Sequence, residues 1–326
     1  MIRICLTLGA ALSALAVASL GTGEMPLSAE RVVSALLFPG ADPDAALVVI
    51  DFRLPRLLAA CLAGAALALA GAITQAVMRN TLAEPGLLGI NAGAALAVSL
   101  LIVVSAPGLS YLLPVAGFAG ALAMTGAIWA LAWKGGAAPM RLILIGIGMA
   151  AMVSAATTTL ITFGGITQVQ RMMIWLAGSL NGLDWERMRL LALWLSPAFL
   201  ACLAAPRALD LIRLEDGLAR SLGQATEQAR FLLIALCALL AGATVSVTGP
   251  IGFVGLIAPH LARRTVGPVH RRMLPVAALF GAALVAAADL AGRMVFAPAE
   301  IPVGLVTVLI GGPFFFWLQR RLRHDP

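Results

Sequence analysis

The chain is short of charge. Only 11% of its 326 residues are Asp, Glu, Lys or Arg, against 61% hydrophobic residues and a mean hydropathy of +0.99. A soluble domain carries about 25% charged residues. Without them a water-facing surface cannot be covered. Composition therefore excludes a cytosolic enzyme, a secreted disulfide scaffold and a disordered regulator. A single lysine, Lys134, sits between Trp133 and Gly135. A phosphate-binding G-x-x-x-x-G-K-[ST] loop is thereby absent, and with it nucleotide binding by that route. No H-E-x-x-H or G-x-S-x-G occurs, and His260, His270 and His324 lack ligand spacing. His260, after Pro259, reads as structural, and an intramembrane hydrolase is disfavoured. Cys5, Cys61, Cys202 and Cys237 all fall inside apolar runs and read as small buried hydrophobes.

What remains is long apolar runs rich in Ala and Gly. Strict apolar/polar alternation is missing, so a β-barrel is excluded and helices are the spanning structure left. Small residues let such helices pack closely. Breakers and charges divide the chain into ten spans, near 2–20, 56–78, 86–105, 112–133, 141–163, 190–205, 230–248, 250–262, 273–294 and 303–318. Pro107-Gly108 and Pro114 cut one uncharged stretch. Thr248-Gly249-Pro250 cuts another, and leaves a second part short enough to be a half-length helix inside the protein. Residues 2–20 read as an uncleaved first helix, with a cleaved signal peptide ending near Gly21-Thr22-Gly23-Glu24 as the alternative.

Ten spans place both termini on one side. Fifteen of the 22 basic residues fall on the side of the termini, and acidic residues (Glu24, Glu30, Asp42, Asp44, Asp51) gather in the first loop opposite. That asymmetry puts the termini in the cytoplasm. It also accounts for the net charge of +7 without nucleic acid. Trp133 and Trp317 fall at cytoplasmic span ends, where interface anchors belong. Leu62-Ala63-Gly64-Ala65 and Leu240-Ala241-Gly242-Ala243 match at an offset of 178, as do Gly71/Gly249 and Ile73/Ile251. The two segments run in opposite directions, as in an inverted repeat. Asp289 is the one clear carboxylate deep in a span. Arg293 four residues on makes a structural ion pair its simplest explanation. Ion-coupled transport usually needs more such groups, so a stand-alone secondary transporter is the weaker reading.

Several segments carry a family likeness: Arg53-Leu54-Pro55-Arg56, Asn80 to Gly89, Trp175 to Leu180, Gly249 to His260, Glu300 to Gly304 and Ile310 to Pro313. Together, in this order, they resemble the permease family of type II ATP-binding-cassette importers for iron–siderophore complexes, haem and cobalamin. The resemblance runs from about Arg53 to Arg321. It implies a single all-α transmembrane permease domain over 1–326 and a second permease subunit, identical or not, with the pathway between the two. It also implies two cytoplasmic ATPase subunits, which bind ATP and Mg and leave this chain with no cofactor or metal of its own, and a periplasmic binding protein. The location implied is the bacterial inner membrane.

Residue roles follow by position. The longest cytoplasmic loop is about 207–230. Within it, Leu214 to Gly223 reads as a short helix, with Glu215 and Asp216 in the first turn and Gly223 as its stop. In the family this is the helix that couples to the ATPase. Gly217 and Ala219 would allow close approach, and Arg220 lies on the same segment. Arg53 and Arg56 are three apart at a helix N-terminus, where the helix dipole disfavours cations. With Arg293 they match outer-surface arginines that receive acidic residues of the binding protein. Pro139-Met140 occupies the gate position, with Met140 bulkier than the small hydroxyl residues of the cobalamin importer. Thr81 stands where Pro is common. The expected cargo is an iron chelate, a ferric siderophore first and cobalamin or haem second.

Overall fold

In the computed structural model the described residues are 2–23, 25–104, 109–134 and 136–322. Glu24, the Pro107-Gly108 break, Gly135, Arg323 and His324 lie outside them. Among the described residues the chain is helical throughout, with no strand. The helices are α1 (Ile2–Gly21), α2 (Ala29–Leu37), α3 (Pro43–Ala46), α4 (Leu54–Val77), α5 (Ile90–Val104), α6 (Leu113–Ala132), α7 (Pro139–Phe163), α8 (Ile166–Leu176), α9 (Trp185–Ala204), α10 (Pro206–Ile212), α11 (Asp216–Ser221), α12 (Thr226–Thr248), α13 (Val254–Val266), α14 (His270–Met294) and α15 (Val303–Leu322). Eight segments are long and apolar enough to cross a membrane. The other two expected spans are the shorter α5 and α13, so ten is an approximate count.

The differences from the sequence reading lie at helix ends. Pro85–Leu88 is not the first turn of a span. It forms a separate 3₁₀ turn that Gly89 closes at φ +70°, and α5 starts only at Ile90. Likewise Gly249 turns at φ +70°, and α13 begins at Val254, not at Pro250. At 13 residues α13 is the half-length helix expected, and its first six residues are buried. α9 starts earlier than expected because the Asp184 carboxylate accepts from the Arg187 N–H (2.9 Å) and caps it. The amphipathic α2 and α8, of 9 and 11 residues, are too short to cross and carry no long apolar run in the sequence.

Two four-helix sets repeat: long, short, long, long in α4–α7 and again in α12–α15. The packing repeats with them. α4 lies on α14 as α12 lies on α6, and α5 packs on α6 as α13 packs on α14. Arg230 near the start of α12 meets Asp216, and Asp216 also meets Arg79, just past the end of α4. α12 therefore begins where α4 ends, and the repeat is inverted.

The core is close backbone packing more than interlocked large side chains. A Cβ on Gly64 would strike the Gly281 carbonyl, and one on Gly71 would strike the Gly255 backbone. Because lipid offers no hydrophobic contrast, this proximity is what binds α4 to α14 and α13. Phe253, at φ +65°, turns its ring into the space left by Gly311. A second knot joins three of the sequence motifs. Ser179 N–H donates to Thr248 O (2.7 Å) and Gly304 N–H to Gly178 O (2.9 Å), with Gly178, Gly249 and Gly304 each too close to a neighbouring carbonyl for a side chain.

Gly64→Val is expected to lower stability by about 1–3 kcal/mol or more, because the obstacle is backbone and cannot swing away. Gly126→Val, which meets open space, should cost much less. Thermal unfolding of the detergent-solubilised protein compares the two.

Candidate functional site

Two polar clusters stand at opposite ends of α4, whose 24 residues span roughly 36 Å. At its N-terminal end are the three arginines singled out from the sequence. Arg56 makes paired contacts with Asp289 (Nε 3.1 Å, Nη2 2.9 Å) and with Glu300 (Nη1 3.0 Å). Arg293 approaches Asp289 at 3.4 Å and donates to Ser19 Oγ at 2.7 Å. Asp289 is thus held mainly by a residue on another helix, and its i+4 partner is the weaker one. Arg53 donates to Leu20 O and Met25 O, both at 2.6 Å. Gly23 leaves room for its guanidinium.

Arg53 and Arg293 therefore cap the C-terminal end of α1, where carbonyl groups lack intrahelical partners. This role was not visible in the sequence, because nothing local links position 53 to position 20. The three arginines also line one cavity of about 550 Å³, together with Glu300, Phe52 and Pro298. The structure brings all three together, largely paired within the chain.

At the other end lies the segment expected to couple. Its helix is α11, one turn shorter than the 214–223 expected. Leu214 precedes it and Glu215 stands at its N-cap, without a side-chain capping bond. Gly223 N–H bonds to Arg220 O (2.9 Å) and Gln224 N–H to Ala219 O (3.1 Å). This is a Schellman closure with Gly223 at φ +85°, so the glycine stops the helix as expected. Ala219 is fully buried and faces this chain, so it offers no surface for another subunit to approach. The exposed set is Glu215, Gly217, Leu218, Arg220, Ser221, Leu222 and Gly223. Two exposed leucines there were missed, though bulky apolar residues on an otherwise polar loop could have flagged them. Arg220 bonds to Thr226 Oγ1 at 3.2 Å.

Asp216 ties this helix to the bundle. It pairs with Arg79 and, at 2.9 Å, with the fully buried Arg230. Arg230 also holds Glu227 (2.7 Å), whose second oxygen accepts from the Ala137 N–H (3.0 Å). Ala137 is two residues before Pro139, where α7 begins. α11, α4, α12 and α7 thus share one continuous set of contacts. Burial raises the pKa of Asp216, but the hydrogen bond from Arg79 and the charges of Arg230 and Arg79 outweigh it, and the net shift is downward. Nearby, His270 Nδ1 lies 2.6 Å from Asp210, which fastens the start of α14 to α10.

Pro139 sits in the first turn of α7, and Met140 beside it is 67% exposed. With Leu144, Ile147 and Met152 it forms an uncovered stripe. The polar half of α7 carries Thr157, Thr158, Thr159 and Thr162, and each hydroxyl donates to the carbonyl four residues back (2.9–3.0 Å). No group of three or more His, Cys, Asp or Glu able to hold a metal occurs among the described residues.

An inverted repeat of membrane helices is an architecture of transport proteins. The sequence of the chain agrees. The family model described as the FecCD transport family matches residues 11–321. The chain is 42% identical over 317 residues to the Fe(3+)-citrate import system permease protein YfmE of Bacillus subtilis, covering 97% of this chain and 94% of that one. It is 43% identical over 280 residues to the hemin transport system permease protein HmuU of Yersinia pestis, covering 85% and 84%. A solved structure described as an inward-facing metal-chelate-type ABC transporter superposes with a TM-score of 0.87 at 31% identity, over 98% of this chain and 100% of that one. The chain belongs to the FecCD transport family: it is a multi-pass permease subunit of an ABC importer, and ATP is hydrolysed by separate ATPase subunits.

Two predictions test the clusters. Asp289→Asn strips a buried arginine pair of its anion and should cost about 3–5 kcal/mol, read as a fall in thermal unfolding temperature, whereas Glu300→Gln at the exposed rim should cost far less. For Asp216 the lowered pKa gives the sign. Its contribution is fully present above the ordinary Asp value of about 3.9 and is lost only as pH falls through the lower folded value. Anchoring of α11, followed by hydrogen exchange, should therefore persist at pH 5.

Proposed function

We propose that this subunit carries a ferric chelate, of the citrate or siderophore type, through the bacterial inner membrane. Two permease subunits would stand side by side, with α7 and its Pro139-Met140 start lining the path between them. Both termini would be cytoplasmic, which the charge asymmetry supports, because it places α11 on the ATPase side. ATP and Mg would be bound in the ATPases, and this chain would act as one unit with no cofactor. Iron chelates lead because the citrate relative matches over almost the whole chain. Haem is the second reading, on the hemin relative; cobalamin follows.

The observation that carries the mechanism is the Asp216 network. ATP binding would draw the ATPases against Leu218, Leu222 and the open face of Gly217. Asp216 would pass that displacement to Arg79 and Arg230, and Glu227 to the backbone just ahead of the Met140 gate. A rigid, charge-paired elbow moves as a unit and biases one of two helix packings over the other. On the opposite face Arg53, Arg56 and Arg293 would form the seat of the binding protein, whose carboxylate competes with Glu300 for Arg56.

In proteoliposomes with ATPase and binding protein, Asp216→Ala should cut ATP-driven ferric citrate uptake at least tenfold while ATP hydrolysis continues. Full uptake would reject the relay. Glu300→Gln should tighten binding-protein docking several-fold at low salt, an effect that fades as salt rises. An unchanged affinity would reject the arginine seat.

A further inference from the structure

Two arginines on the binding-protein side of the bundle have no counter-ion, and both face one cavity. Arg171 lies on α8 and Arg187 in the first turn of α9, and both are exposed. Among the described residues no carboxylate or carbonyl pairs with either guanidinium. Asp184, the acid nearest Arg187 in sequence, is engaged as the helix cap through the Arg187 backbone. The end of the bundle is fixed by two contacts: α12 reaches Thr248 there, far from Arg230, and Trp185 Nε1 donates to Ile50 O (2.9 Å).

The cavity measures about 290 Å³. Ile102, Trp175 and Val247 form its apolar walls, and Ser110 and Asn181 add polar groups. Apolar walls strengthen the field of a charge beside them. Two like charges in one recess, with no anion of the chain's own, raise its potential toward an anionic ligand. This is the reverse of the arrangement at Arg53, Arg56 and Arg293. The guanidinium fork matches a carboxylate with two parallel hydrogen bonds. The volume is at the lower limit for a small-molecule site of roughly 300 Å³, and it suits one or two carboxylate arms of a larger ligand. A recess between α8, α9 and α12 favours a small molecule over a docked protein face.

We propose that this cavity is a subsite for the carboxylate arms of a polycarboxylate ferric chelate, held by Arg171 and Arg187 on the outer face of the permease. The proposal rests on the importer reading above.

The test uses the permease–ATPase complex in phosphatidylcholine nanodiscs, without binding protein or ATP, and radiolabelled ferric citrate as probe. Wild-type complex should bind it saturably, and R171Q/R187Q should weaken binding at least tenfold. A neutral ferric hydroxamate should bind no differently to the two forms. Absence of ferric citrate binding, a change of less than twofold in the double variant, or equal competition by inorganic phosphate would overturn the assignment. So would a double variant that loses only binding-protein docking, since that would make the recess a protein contact. Failure of the wild-type complex, reconstituted in proteoliposomes with its binding protein and ATP, to take up any ferric chelate would instead remove the ferric-chelate cargo reading, and would leave the binding result standing.

Discussion

Backbone contact between helices is the constraint on which the rest depends. Gly64 against Gly281 and Gly71 against Gly255 bring α4 so close to α14 and α13 that no side chain fits between. That closeness sets the axis from which both polar clusters hang. Arg56 reaches Asp289 because α4 and α14 are already in contact at Gly64. At the other end Arg79 reaches Asp216 because α4 stops there. Polar networks in a membrane protein need such fixed distances, since an ion pair without its partner is expensive in a medium of low dielectric.

The two ends use charge differently. At the α1 end, arginines fasten a poorly buried first helix by its terminal carbonyls and leave one carboxylate, Glu300, partly open to competition. At the α11 end, acids and arginines alternate from Asp216 to Arg230 to Glu227, joining a surface helix to three elements that cross the membrane. The first arrangement leaves part of its charge near the surface. The second ties a short helix firmly to the bundle.

Much of the fold was legible because apolar runs, Pro-Gly breaks and charge asymmetry are local signals. The eight long apolar segments, the short α13 and the stop at Gly223 all followed from residues adjacent in sequence. The inverted repeat was visible in Leu62 to Ala65 and Leu240 to Ala243, where glycine and alanine are dictated by packing on both sides. What could not be read depends on residues that meet across long separations. Arg53 meets Leu20, Arg230 meets Asp216, and Ala219 points inward, contrary to the exposed position expected, because α10 and α12 close over it. The resemblance supplied positions for Arg53, Arg56 and Arg293 but not their internal partners. It gave no hint of Arg171 and Arg187, which lie on helices too short or too polar at their ends to attract notice.

The threonines of α7 have a consequence for the helix that carries them. Every one of their protons is already committed to the helix that carries it. The exposed Thr158, Thr159 and Thr162 thus present methyl groups and oxygen lone pairs. Back-bonding of this kind slightly destabilises a helix and favours bending, so the far half of α7 is built to give.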